Sequence, residues 1–135
     1  MMADQDLSFL YIEDHPASRR VMQLLLDVMG YSNLTLIEHT QDIIAQLEQT
    51  KKDFDVIFLD LHLSPLDGFE VQKLLRAHNR FGQAKIVALT ASVMPNELHT
   101  VRQNFDGLIA KPLNYDTFFG YVTRILAGEP VWETS

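Results

Sequence analysis

Short apolar runs alternate with amphipathic stretches five times along this chain. The runs are Leu7 to Ile12, Leu34 to Ile37, Val56 to Leu59, Ile86 to Leu89 and Gly107 to Ala110. Each has the length of a strand. Val56–Leu59 and Ile86–Leu89 are apolar throughout, which predicts strands covered on both faces. Between the runs, apolar residues recur at helical spacing. Val21, Leu24, Leu25 and Val28 predict the buried face of a first helix, with Pro16 in its first turn and Gly30 at its end. Ile43, Ile44 and Leu47 mark a second helix, for which Thr40 is the expected N-cap. Val71, Leu74 and Leu75 mark a third, and Met94, Leu98, Val101 and Phe105 a fourth. Phe118, Tyr121, Val122 and Ile125 mark a fifth, ended by Gly128 and Pro130.

Strands alternating with helices imply right-handed crossovers, hence a doubly wound parallel sheet with helices on both faces. In such α/β sheets ligands gather at the carboxyl ends of the strands. Glu13-Asp14, Asp60, Thr90 and Lys111 each follow one of the predicted strands. Residues far apart in sequence are therefore expected on one rim.

Composition narrows the picture. The 135 residues suit one domain, expected over 8–127, with an N-terminal extension over 1–7 and a tail over 128–135 too short for an output domain. Apolar residues make up 47%, enough for a packed core, and the absence of cysteine excludes disulfides and thiolate metal sites. The net charge of −7, with no basic run, argues against direct nucleic-acid binding. The N-terminus lacks the pattern of a secretory signal and no run is long enough to span a membrane, so a cytoplasmic location is expected.

The rim carries the chemistry. Carboxylates about 5 Å apart repel by about 3 kcal/mol per pair at an effective dielectric near 20, so a cluster of three needs a cation. All-oxygen ligands with open positions select a hard ion such as Mg²⁺ or Mn²⁺. Three carboxylates, one divalent ion and Lys111 sum to zero formal charge, which leaves the site open to a phosphate. A carboxylate is ionised at neutral pH and can attack phosphorus without a general base. The ion, Lys111 and the Thr90 hydroxyl then supply one contact for each equatorial oxygen of an in-line transfer.

These residues resemble those of the CheY-like receiver family of response regulators. The matching segments are LYIED (10–14), VIFLDLHLSPLDG (56–68), ALTAS (88–92) and LIAKP (108–112), in order and at matching spacing. The likeness covers nearly the whole chain, from about Ser8 to Ala127. It implies a flavodoxin-like (βα)5 fold whose five parallel strands lie in the order 2-1-3-4-5. It implies Asp60 as phosphoacceptor, with Glu13, Asp14, Asp60 and the backbone carbonyl of His62 as metal ligands. Thr90 matches the switch hydroxyl, Lys111 the phosphate-contacting lysine, and Pro112 a proline often preceded by a cis bond. Ala91, His62 and Ser92 border the site, and positions two beyond the acceptor and the threonine tune the acyl phosphate's lifetime in the family. The implied donor is a histidine kinase or a histidine phosphotransfer protein. The output is docking to another protein, through a face that would include His99, Arg102, Gln103, Tyr115 and Phe119. Such a domain promotes its own phosphorylation and dephosphorylation and is not a conventional turnover enzyme.

Several positions depart from the family pattern. The acidic pair is Glu-Asp where Asp-Asp is common. Ser64 precedes Pro65 where proline is usual one residue earlier. Asn104 stands where a helix-ending glycine is usual, and a left-handed C-cap is expected there. Leu108 stands with Thr90 as the second switch position, in place of the Tyr or Phe that often moves with the threonine; with no hydroxyl or ring, it reads as an ordinary core leucine. Trp132 is expected to fold back on the domain. The remaining histidines (His15, His39, His78, His99) show no metal-ligand spacing.

Three other readings share parts of this pattern. A haloacid-dehalogenase-type phosphatase needs a second Asp where His62 stands, and a flavodoxin needs a phosphate loop where Glu13 and Asp14 stand. A receiver fold acting as a binding module independently of phosphorylation remains the main alternative, although such members usually lose the residues kept here at 60, 90 and 111.

Overall fold

The computed structural model describes residues 6–133. Most of the expected N-terminal extension therefore lies outside the described residues. The elements run β1 (Ser8–Ile12), α1 (Pro16–Val28), β2 (Asn33–Ile37), α2 (Ile43–Thr50), β3 (Val56–Asp60) and α3 (Gly68–Ala77). They continue with β4 (Lys85–Thr90), α4 (Pro95–Asn104), β5 (Gly107–Ala110), α5 (Tyr115–Leu126) and a two-residue β6 (Val131–Trp132). All strand pairs are parallel, and the order is β2-β1-β3-β4-β5-β6.

Side chains alternate across each strand, so the sheet divides its apolar residues between two cores. Leu10, Ile12, Ile57, Leu59, Ile86, Ala88 and Leu108 pack with residues of α2, α3 and α4, among them Leu47, Leu75 and Val101. Phe9, Tyr11, Val56, Phe58, Val87, Leu89 and Ile109 pack on the other face with Met22 and Leu26 of α1 and Phe118, Val122 and Ile125 of α5. Every residue of β1 and β3 is buried, including the polar Ser8 and Asp60 at their ends. Each fully buried Leu, Ile or Phe adds about 1.5–3 kcal/mol relative to an exposed one.

The expected five-strand order is present, with one addition. The tail does not simply stop at Gly128 and Pro130 but returns as β6 against the outer edge of β5. Gly107 and Leu108 pair with Val131 and Trp132, and the Glu133 amide donates to the Leu108 carbonyl at 2.8 Å. Trp132 folds back as expected and lies under the guanidinium of Arg102, 5.4 Å from the ring centre.

Three expectations about the helices are corrected. On α1 the sheet-facing residues are Met22 and Leu26, with Leu25 half-buried, while Val21, Leu24 and Val28 are exposed. The helix carries two apolar stripes, and Arg19, on the inward-facing side, donates to the Glu13 carbonyl at 2.8 Å. A similar shift leaves Leu74 of α3 and Met94 at the start of α4 exposed. Thr40 does not cap α2, whose N-cap is Asp42. Its buried hydroxyl instead donates to the Leu66 carbonyl and accepts from the Leu66 amide, both at 2.8 Å, tying the loop after β2 to the loop after β3. Asn104 is the last residue of α4 and not a left-handed cap. The buried Phe105 turns out in an extended conformation directly into β5, and Gln72 satisfies the Asn104 carbonyl at 2.7 Å.

The loop after β3 is held tightly behind Asp60. Asp67 and Glu70 form a reciprocal capping box at the start of α3, with bonds of 2.9 and 3.0 Å, and the Gly68 amide donates to the Leu61 carbonyl at 2.9 Å. A Cβ on Gly68 would meet the Asp60 carbonyl oxygen and lie 2.7 Å from the Leu61 Cα, both of them backbone atoms that cannot give way. Gly68→Ala is expected to lower unfolding stability by about 1–3 kcal/mol, read from urea denaturation; an unchanged midpoint would show that this backbone approach is slack.

Candidate functional site

The register of the sheet builds the site. Tyr11 pairs with Phe58 and Ile12 with Leu59, Asp60 pairs with Leu89, and Thr90 with Ala110. The strands therefore end level, and Glu13, Asp60, Thr90 and Lys111 emerge together at the carboxyl rim. Alternation puts Tyr11, Glu13, Asp60 and Lys111 toward the α1–α5 side and Thr90 toward the α4 side.

Glu13 is almost wholly buried at 1% exposure, and its carboxylate is fully engaged. Oε1 accepts from the Tyr11 hydroxyl at 2.8 Å and from the Lys111 ammonium, and Oε2 accepts from the His15 amide at 3.1 Å. Burial pushes this carboxyl's pKa up, but the donors from Lys111, Tyr11 and His15 outweigh it and hold the pKa at about 2. Asp60 is also buried. Its Oδ1 accepts from the His62 amide at 2.9 Å and its Oδ2 from Lys111 at 3.2 Å. Burial, reinforced by the nearby charge of Glu13, raises its pKa despite those two donors. For Lys111, burial works against the charge, but Glu13 and Asp60 prevail and raise its pKa. Burial likewise raises the Tyr11 phenol, helped by the adjacent Glu13, so it stays a donor.

Asp14 is exposed at the edge of this pair. Carboxylate oxygens of Glu13, Asp14 and Asp60 lie within 4.8 Å of one another. That spacing and the all-oxygen donor set fit a small hard cation bound with part of its shell left to water or substrate. The residues present therefore suit the divalent ion expected from the sequence.

Thr90 is buried behind the rim. Its hydroxyl donates to the Ser92 carbonyl at 2.7 Å, and the ring of His62 lies 3.2 Å from the same oxygen. The side chains bordering the site thus converge on one acceptor. Ala91 and Ser92 are exposed. The Lys111–Pro112 bond is cis, as expected, and so is Ser64–Pro65. Beside Lys111, Pro112 and Leu113 line a shallow cleft with Ala17, Ser18 and Val21 of α1. Leu108 is fully buried in the α4-side core and carries no polar or aromatic group to the site. His99, Arg102, Gln103, Tyr115 and Phe119 are all exposed on α4 and α5.

Three residues serve the site without being expected there from the sequence, and one of them, Thr40, reads there as a helix cap. Tyr11 precedes Glu13 by two on a strand, so the alternation could have placed both on one face. Arg19 reaches the Glu13 backbone from a helix, and Thr40 braces the loop after β3; neither leaves a signal in local patterning.

Comparison with known proteins places this geometry. A family model described as the response regulator receiver domain matches residues 9–123. The stress response regulator protein 1 of Debaryomyces hansenii is 33% identical over 112 residues, 80% of this chain and 45% of that protein. A nitrate/nitrite response regulator protein homolog of Haemophilus influenzae is 31% identical over 132 residues, 96% of this chain and 61% of that protein. The chain thus spans less than two thirds of the length of either relative. The solved receiver domain of a sensor histidine kinase from Pseudomonas aeruginosa, with magnesium coordinated in its active-site cleft, matches with a TM-score of 0.76. Its identity is 25%, and the match covers 90% of this chain and 98% of that one.

The electrostatics give a stability test in metal-free buffer. Lys111→Met leaves two buried carboxylates facing each other and is expected to cost on the order of 3 kcal/mol. Asp60→Asn removes a charge that burial and Glu13 disfavour, and is expected to raise the thermal midpoint. Calorimetry in EDTA checks both, and a destabilised Asp60→Asn protein would contradict this account of the charges.

Proposed function

Because this chain belongs to the response regulator receiver domain family of two-component signalling, we propose that Asp60 accepts a phosphoryl group from a phosphohistidine donor in a magnesium-dependent step. The single observation that carries the reading is the meeting of three carboxylates with Lys111 and Thr90 at one strand-end rim. The donor is a histidine kinase or a histidine phosphotransfer protein. An ATP-fed kinase of this kind works in the cytoplasm, where we place the chain.

Glu13, Asp14, Asp60 and the His62 carbonyl would hold Mg²⁺ or Mn²⁺. When bound, the ion supplies charge neutralisation for the carboxylates and a contact to one phosphoryl oxygen. The chain's own groups do the rest. An ionised oxygen of Asp60 attacks phosphorus in line. The new O–P bond forms as the P–N bond of the donor breaks, and the bonding pair stays on the imidazole nitrogen. Lys111, already 3.2 Å from Asp60, takes a second phosphoryl oxygen. The Thr90 hydroxyl takes the third after leaving the Ser92 carbonyl. That movement shifts the loop after β4 and biases a pre-existing equilibrium of α4 and the surface carrying Arg102, Tyr115 and Phe119. The altered surface then docks a protein target. A net charge of −7 and a sequence without a basic run speak against nucleic acid as that target.

Incubation with acetyl phosphate and Mg²⁺ is expected to give one phosphoryl adduct per chain by mass spectrometry, labile in acid and in alkali as an acyl phosphate is. It should be absent in EDTA and absent in Asp60→Asn. Labelling of another residue, or labelling that ignores Mg²⁺, would refute the assignment. No labelling at all, with a target bound equally well before and after treatment, would favour the binding-module alternative.

A further inference from the structure

Tyr11 sits in the middle of the buried sheet, yet it carries a polar tip to the acidic rim. Its ring packs edge-on to Phe58, with centroids 6.5 Å apart, and is fully buried. Its hydroxyl donates to Oε1 of Glu13 at 2.8 Å. That oxygen also receives Lys111, while the other carboxylate oxygen receives the His15 amide. Three donors from three directions therefore fix the carboxylate plane. Two come from β1 and its following loop, and one from the end of β5. The longer acid at position 13 matters here. An aspartate would be shorter by one methylene, about 1.5 Å, and its carboxylate would fall short of one donor or the other. A hydroxyl left unpaired in this apolar setting is costly, so tyrosine at 11 and glutamate at 13 form a matched pair.

We propose that Tyr11 is a positioning residue of the cation site, whose hydroxyl holds the Glu13 carboxylate in the orientation that faces both Lys111 and a divalent ion. This rests on the receiver reading above. Tyr11 would not touch the ion. It acts as an outer partner of a ligand, and loss of such partners commonly weakens metal binding about 10- to 100-fold.

Tyr11→Phe keeps the ring and its packing and removes only the hydroxyl. Mg²⁺ titrated calorimetrically into the full chain should bind about 10-fold more weakly to this variant. The Mg²⁺ concentration giving half-maximal labelling by acetyl phosphate should rise by the same factor. A merely structural role would not produce a metal-specific shift in a variant whose urea midpoint in EDTA stays close to that of the parent. The partner substitution, Glu13→Asp, reads the coupling from the other side. In that background the hydroxyl has lost its acceptor, so adding Tyr11→Phe should change Mg²⁺ affinity less than twofold. Equal Mg²⁺ affinity in Tyr11→Phe and the parent overturns the proposal, as does a full 10-fold loss in the Glu13→Asp background. If Tyr11→Phe does not fold, Glu13→Asp alone must still weaken Mg²⁺ binding, and unaltered binding there overturns the proposal. A parent chain that neither binds Mg²⁺ nor takes label sinks the functional reading itself; a parent that does both, with an indifferent Tyr11→Phe, sinks only the role of Tyr11.

Discussion

Carboxylates crowd together at the ends of adjacent parallel strands only if a cation sits among them, and Lys111 is the cation this chain supplies. Its ammonium reaches Glu13 and Asp60, 98 and 51 residues away in sequence. It joins the ends of β1, β3 and β5 at the point where their charges would otherwise drive the rim apart. The remaining parts follow from that constraint. The parallel register makes the strand ends level, the two apolar cores make the register unambiguous, and the cis Lys111–Pro112 bond lies directly after the lysine. The same arrangement leaves Asp60 buried with a raised pKa while Glu13 is held ionised by three donors. Two similar side chains are thus given different characters by their surroundings.

The strands were legible because their signal is dense. The central runs, Val56–Leu59 and Ile86–Leu89, are apolar on both faces, and a strand fully covered by helices admits few polar residues. The rim was legible for a related reason: the first polar residue after a buried strand must lie where the sheet ends, so Asp60, Thr90 and Lys111 announce their own location. Helix faces were read less well. Met22, Leu24, Leu25 and Leu26 offer α1 more apolar positions than one face can use, and packing against the sheet and α5 takes the Met22 and Leu26 stripe inward. Thr40 looked like a cap because threonine before an apolar stretch usually is one, but it is spent on a loop-to-loop tie. Asn104 followed its environment, since a buried phenylalanine next to it closed the helix in extended form.

Tyr11 shows the intermediate case. Its hydrophobic ring made it indistinguishable from the other core residues of β1, and only its spacing from Glu13 marked it. A similar economy appears at Ser92. Its carbonyl receives the Thr90 hydroxyl and lies beside the His62 ring, so two loops share one acceptor. Any rotation of Thr90 toward the rim changes the environment of His62 as well. The loops after β3 and β4 therefore meet at one backbone oxygen, while Leu108, buried in the α4-side core, brings no ring to it.

The two residues of β6 have a topological effect out of proportion to their number. A sheet ending at β5 would present a row of unpaired amides and carbonyls between α4 and α5, an open template onto which an extended foreign chain could be zipped. Val131 and Trp132 already use those groups at Gly107 and Leu108, and Arg102 lies over the Trp132 indole. Along that half of β5 the main-chain groups are already taken within the chain, and the outer strand of the sheet is β6.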